Sequence, residues 1–250
     1  YFDPGFRPNI SEEELVKRWV TQGIRVIHVA GWHQYPKYTY DYAHLIKLAH
    51  ANGILVYAWI EPPQVSQKFW ADHPEWRETN YLKQYIHKDE SLTASWRYPV
   101  ALTDPQCFKA AVNVYLDLLK KNDFDGVNIA ELSFEAGRGF SDPKLFTPMH
   151  PSACKEFHSK YGYDLKDIFK SGSAYYWKRN PKVKAQVTGF RVEKVYELHD
   201  SLLAEIGRFA KTREGFKVIV TFYDTFLSPE MTEYHGVSSE KMIELQKKYN

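Results

Sequence analysis

The sequence predicts a parallel α/β chain of the (β/α)8 barrel type, carrying about five of the eight βα units. Three observations predict it. Four times a glycine closes a helix-like segment and launches a strand-length apolar run: Gly23 before Ile24–Ala30, Gly53 before Ile54–Ala58, Gly126 before Val127–Ala130, and Gly215 before Phe216–Thr221. The runs lead into polar and aromatic residues, among them Trp32 and His33, Trp59 and Glu61, Glu131, and Tyr223 and Asp224. Parallel βα units gather their chemistry at such C-terminal strand ends. Two long connections, 64–104 and 136–187, follow the second and third runs, and connections of that length in a compact domain are usually functional.

The elements follow in order. Ser11 with Glu14 three residues on is a capping-box pattern, and Leu15, Val16, Trp19 and Val20 then mark one apolar helix face. A second helix over 41–52 turns Leu45, Ile46, Leu48 and Ala49 inward. The second strand ends at Glu61-Pro62-Pro63, where two prolines end ladder donation. The 64–104 connection reads as a short helix and an irregular hairpin. Asp104-Pro105 starts a third helix as N-cap and first helical residue. The third strand is expected from Phe124 to about Phe134, a short helix over 151–160, a long one over about 188–212, a fourth strand over 216–223 and a last helix over 239–249.

Four strands, or five if Tyr1-Phe2 ends another, fall short of the eight that close a barrel. The expectation is a single barrel-type domain over 1–250, truncated at its C-terminus. The alternative is an open αβ sheet of four or five strands.

Composition narrows the function classes. A net charge of +2, from 33 basic and 31 acidic residues, argues against a nucleic-acid partner. No apolar stretch approaches the ~20 residues of a membrane span. Two cysteines, Cys107 and Cys154, are expected as free thiols rather than a disulfide framework. Neither a His-x-x-x-His pattern, a Gly-x-Ser-x-Gly elbow nor a phosphate-cradling glycine loop occurs, so no metal and no cofactor is expected. Aromatic residues make up 16% of the chain. Their faces can stack on sugar rings, or they can seal long loops.

The segment Phe124-Asp125-Gly126-Val127-Asn128-Ile129-Ala130-Glu131 is the most specific signal. An apolar strand delivering a carboxylate at its end suits glycoside cleavage, which needs one proton donor and one carboxylate as nucleophile or base. Glu131 is the first candidate, weighed against a surface salt-bridging glutamate. Glu61, among aromatics, and Asp224, after Tyr223, are the candidate partners. Burial would suit Glu61 to hold a proton; Asp224 could instead cap a loop. Expected to bind substrate are Trp32, His33, Tyr57, Trp59 and Trp96, together with Arg97, Asn128, Glu135 and Tyr223. Arg97 could equally brace a carboxylate, and Asp125 is expected to cap or turn.

The runs Gly53–Glu61 and Phe124–Glu131, with Phe146-Thr147-Pro148-Met149 in the following loop, resemble the glycoside-hydrolase-like TIM-barrel families. These include hydrolase domains found beside polysaccharide deacetylases in bacterial exopolysaccharide systems. The resemblance implies a secreted, bacterial carbohydrate-processing enzyme, extracellular or periplasmic, with Glu131 as a catalytic carboxylate and Asp224 as a second. A catalytically silent carbohydrate-binding barrel and an α/β enzyme for a small non-sugar metabolite stay open beside it. The sequence carries no reading of oligomeric state.

Overall fold

Helix α1 (Glu12–Thr21) starts where Ser11 accepts the Glu14 N–H at 3.3 Å and leads to strand β1 (Val26–Ala30). The structure is a computed structural model that describes residues 1–2, 10–31, 41–86 and 97–249. Helix α2 (Tyr42–Ala51), capped by Asp41, leads to β2 (Leu55–Ile60). Helix α3 (Gln67–Asp72) lies in the first long connection. Helix α4 (Pro105–Lys121), capped by Asp104, leads to β3 (Gly126–Ala130). Helices α5 (Pro151–Tyr161) and α6 (Pro181–Ala210) precede β4 (Lys217–Thr221). Helices α7 (Glu230–His235) and α8 (Ser239–Tyr249) follow it.

The four strands form one parallel sheet in the order β1-β2-β3-β4, as the repeated glycine-led runs predict. Phe2 extends the sheet on the far side of β1. Its N–H donates to His28 O at 2.7 Å and its carbonyl accepts from Ala30 N at 2.9 Å.

Strand alternation divides the sheet into two faces. Ile27, Val29, Val56, Ala58, Ile60, Val127 and Ile129 face the helices and are all buried, in one core with Leu15, Leu45, Ala111, Tyr115 and Leu202. His28, Tyr57, Trp59, Asn128 and Thr221 occupy the other face. There Tyr57 stacks on His28 at 5.2 Å, and Asn128 joins His28 (3.2 Å) to Thr221 (3.0 Å). The 136–187 connection builds an apolar cluster of its own, with Phe140, Phe146, Phe157 and Phe190.

Several element bounds differ from the sequence reading. Helix α6 starts seven residues early, at Pro181, because Asn180 accepts the Val183 N–H at 3.2 Å and caps it. Strand β3 ends at Ala130 instead of near Phe134, because Glu131 takes a left-handed φ of 57° that breaks the ladder geometry. Val20 is exposed. The short α7 was not expected. Both cysteines are free, and no helix among the described residues is long and apolar enough to cross a membrane.

Two outcomes are expected of stability measurements. Gly126 pairs with Tyr57, and a Cβ there would meet Lys217 O and Tyr57 Cε1, both at 2.4 Å. Gly126→Ala should therefore cost about 1–3 kcal/mol in urea denaturation; an unchanged midpoint would contradict this packing. The second concerns His199, fully buried on α6, whose Nδ1 lies 2.9 Å from Val195 O. Burial pushes its pKa down from 6.5 to about 4. The unfolded chain takes up this proton before the folded one does, so stability falls as pH drops from 6.5 toward 4. At pH 5 the loss is about 2 kcal/mol. His199→Leu should remove that share of the pH 7 to pH 5 decrease, and an equal decrease in the variant would refute the assignment.

Candidate active site

The C-terminal ends of β2, β3 and β4 converge on one pocket. Glu61 follows β2, Glu131 follows β3 and Tyr223 follows β4, and all three line it with Arg97, Glu135 and His235. Strict alternation would set Glu131 on the helix-facing side, with Val127 and Ile129. Its left-handed backbone ends the alternation and delivers the carboxylate to Arg97 instead.

Arg97 organises the carboxylates. Its Nη2 donates to Glu131 Oε2 at 3.2 Å and its Nη1 to Glu135 Oε1. Burial works against the guanidinium charge, but Glu135, Glu131 and Glu61 outweigh it and raise the pKa of Arg97. Glu61 is 6% exposed, and its Oε1 accepts the Trp59 indole N–H at 2.6 Å. Tyr1 packs on the Trp59 ring at 4.8 Å. Burial, then Glu131 and Glu135, raise the pKa of Tyr223 and keep its phenol neutral.

The support beneath the pocket is polar and buried. Thr147 donates through its N–H (2.8 Å) and Oγ1 (2.9 Å) to the Glu135 carbonyl. Arg191 of α6, fully buried, donates from Nε to Thr147 O (2.8 Å), and its other nitrogens reach Glu233 O and Tyr234 O. Burial lowers its pKa to about 9, so it stays charged at neutral pH. Glu78, also buried, accepts the N–H groups of Thr79, Met149 and His150 at 2.9, 3.1 and 2.9 Å. It pins the first long connection to the start of α5, and burial raises its pKa.

The expected site residues that are described separate into three groups. Glu61, Glu131, Glu135, Arg97 and Tyr223 come together in the pocket, with Trp59 bonded to Glu61. Tyr57 and Asn128 lie deeper, in the packed layer under it, with exposures of 8% and 2%. Asp224 stands apart from the pocket: its Oδ1 accepts Phe226 N (2.8 Å), Leu227 N (3.4 Å) and Ser239 Oγ (3.4 Å), so the structure gives it a loop-capping task. Trp32, His33 and Trp96 lie outside the described residues. Asp125, expected to cap or turn, instead ties β3 to its neighbours: its Oδ2 accepts Val56 N (2.7 Å) and meets His50 at 2.9 Å.

Sequence reasoning missed Gln64, Ser133 and His235 in the lining. The sequence signal beside His235 is Gly236, left-handed at φ 68°, which marks the end of α7 and not the histidine's contact with Phe134. Among the described residues no group of three or more His, Cys, Asp or Glu could hold a metal ion. A wider groove lies between β4 and α8, lined by Val218, Val220, Met242 and Leu245, but it offers no acid–base pair.

No family model matches the chain, and no curated protein matches it by sequence. Solved structures do. The PgaB (BpsB) glycoside hydrolase domain from Bordetella bronchiseptica superposes with a TM-score of 0.64 at 15% identity, over 94% of this chain and 65% of that one. A β-galactosidase from Marinomonas ef1 gives 0.57 at 10% identity, over 88% of this chain and 36% of its own. An α-L-fucosidase from Paenibacillus thiaminolyticus gives 0.54 at 14%, over 85% and 29%. The fold is therefore that of TIM-barrel glycoside hydrolases. The chain spans just under two thirds of the length of the Bordetella domain. Its described residues hold four of the barrel's strands plus the Phe2 bridge.

The strained residue at the site has a measurable signature. At φ 57° a Cβ costs about 1 kcal/mol that glycine does not incur. Glu131→Gly should be about 1 kcal/mol more stable than Glu131→Ala in chemical denaturation. The reverse order would show that residue 131 is not left-handed.

Proposed function

We propose that the chain is the core of a glycoside hydrolase that cleaves O-glycosyl bonds in an oligosaccharide or polysaccharide. The observation that carries this is the convergence of Glu61 and Glu131, from adjacent parallel strands, on one pocket with Glu135, Arg97 and Tyr223. Glycoside cleavage passes through an oxocarbenium-like state and needs a proton for the leaving oxygen and a carboxylate on the sugar. Glu131, aimed by its backbone and held by Arg97, takes the role of nucleophile or base. Glu61, the more buried carboxyl, takes the role of proton donor. Arg97 and Glu135 fix the direction of the Glu131 carboxylate, and Trp59 and Tyr223 supply ring faces for the sugar. Asp224 is left out of this reading, because its Oδ1 serves the loop after β4. An extracellular or periplasmic location goes with a polymeric substrate, which does not cross a membrane unaided.

One observation favours a binding barrel instead: Arg97 engages both Glu131 and Glu135, and an arrangement so paired can hold a sugar without cutting it. The same experiment separates the readings. The full-length protein is titrated with cello-oligosaccharides, oligogalacturonates and chitosan oligosaccharides, following both binding and reducing ends released. Cleavage is expected with one class. Glu131→Gln should cut its turnover by at least ~10²-fold while binding changes little. Trp59→Ala should weaken binding, through lost ring contact and the lost bond to Glu61. Binding without cleavage in the wild type would support the silent barrel, and full turnover in Glu131→Gln would remove Glu131 from the chemistry.

A further inference from the structure

His235 lines the pocket, and the proposed chemistry does not use it. Its Nδ1 lies 3.1 Å from Phe134 O, and Phe134 N donates back to His235 O at 3.0 Å. A carbonyl only accepts, so Nδ1 carries the proton and Nε2 keeps a lone pair. The ring stacks on Tyr223 with centroids 4.4 Å apart and planes 17° apart. Two contacts thus fix the imidazole, and both leave its Nε2 edge uncommitted.

The surroundings keep the ring neutral. Burial lowers its pKa; Glu135 and the Phe134 carbonyl partly offset this, and Arg191 and Arg97 lower it further. Among the described residues these groups, with Tyr223, are the charged and titratable neighbours of the ring. The pocket is otherwise rich in carboxylates, Glu61, Glu131 and Glu135, which serve the reaction or Arg97. A neutral acceptor beside them matches a ligand group that donates a hydrogen bond without carrying charge.

We propose that His235 Nε2 accepts a hydrogen bond from a hydroxyl of the bound sugar, making His235 a specificity-determining residue of the site. The proposal rests on the glycosidase reading above. It also sets a direction with pH. As the ring takes a proton, Nε2 becomes a donor, and the sugar hydroxyl keeps the contact only by turning from donor to acceptor, out of the orientation that the neutral ring selects.

Two substitutions separate this role from a structural one. In His235→Asn the amide nitrogen can take the place of Nδ1 and keep the bond to Phe134 O, but nothing replaces Nε2. In His235→Gln the amide oxygen can reach the place of Nε2, while the bond to Phe134 is given up. Both are assayed in the full-length protein on whichever of the three oligosaccharide classes the wild type cleaves, from pH 5 to 8, with melting temperature as a control. The expected result is kcat/KM down on the order of 10-fold in His235→Asn, the worth of one hydrogen bond to substrate. His235→Gln should stay within about 3-fold of wild type by the same measure. The wild-type decline in kcat/KM on acidification should be shallower in His235→Gln. The opposite order, Asn like wild type and Gln impaired, would make His235 a structural residue and overturn the proposal while leaving the glycosidase reading intact. Two variants both indistinguishable from wild type would overturn it equally. A wild-type protein that neither binds nor cleaves any of the three classes would overturn both.

Discussion

One guanidinium, that of Arg97, meets two carboxylates delivered from the end of β3, and the geometry of the site follows from it. Arg97 belongs to the first long connection, whereas Glu131 and Glu135 belong to the strand end across from it. Three carboxyl groups converge on one small pocket, and in a partly buried place repulsion between their charges is weakly screened. The guanidinium spans two of them and is itself made more basic by all three. Such a pair contributes little net stability, since desolvation offsets much of the attraction. Its consequence is orientation. A planar fork fixes where each carboxylate points, which an ammonium on a flexible stem would not do.

The backbone meets this demand at a local cost. Residue 131 stands one place beyond the last ladder residue, on the side that alternation would send toward the helices. A left-handed turn at a non-glycine residue costs about 1–2 kcal/mol and persists where surroundings enforce it. The enforcing parts are visible. Glu131 N still donates to Thr221 O at 3.1 Å, so the peptide stays on the sheet. Beyond it the Phe134 and Glu135 carbonyls are held by His235 and Thr147. Arg191, buried under them, then holds Thr147 and the last carbonyls of α7 at once. Strain at the catalytic candidate is thus supported from below by a charged side chain whose own burial is compensated by three carbonyls.

Legibility in the sequence followed the range of the forces involved. The strands and most helices were readable because a glycine stop, a cap and an apolar period are local signals; Ser11, Asp41 and Asp104 each cap the helix that follows. The strand-end position of Glu61 and Glu131 was readable for the same reason. The start of α6 was misplaced because Asn180-Pro181 sits inside a connection read as irregular, although it is a capping pair. What Tyr57 and Asn128 touch was not readable, since their neighbours His28 and Thr221 lie on other strands. The loop-capping alternative for Asp224 was readable, because its contacts to Phe226 and Leu227 are local. His235 escaped because its role depends on Phe134 across a hundred residues of chain, and no periodicity reports that contact.

The two faces of the sheet therefore do different work, and the difference explains why low sequence identity accompanies a shared fold. The helix-facing side of the sheet is apolar, with Val29, Val56 and Ile129 fully buried, and tolerates exchange among similar volumes. The opposite side is a graded polar stack: Asn128 linking His28 to Thr221 below, then Trp59 bonded to Glu61, then the Arg97 carboxylate pair at the rim. The hydrogen bonds run within each level, and the His28 and Trp59 rings, 6.0 Å apart, pack the lowest level against the next. Chemistry at the rim depends on positions within fractions of an ångström. The stack beneath the pocket should be the part of the barrel least free to vary, even though its lower members do not line the pocket.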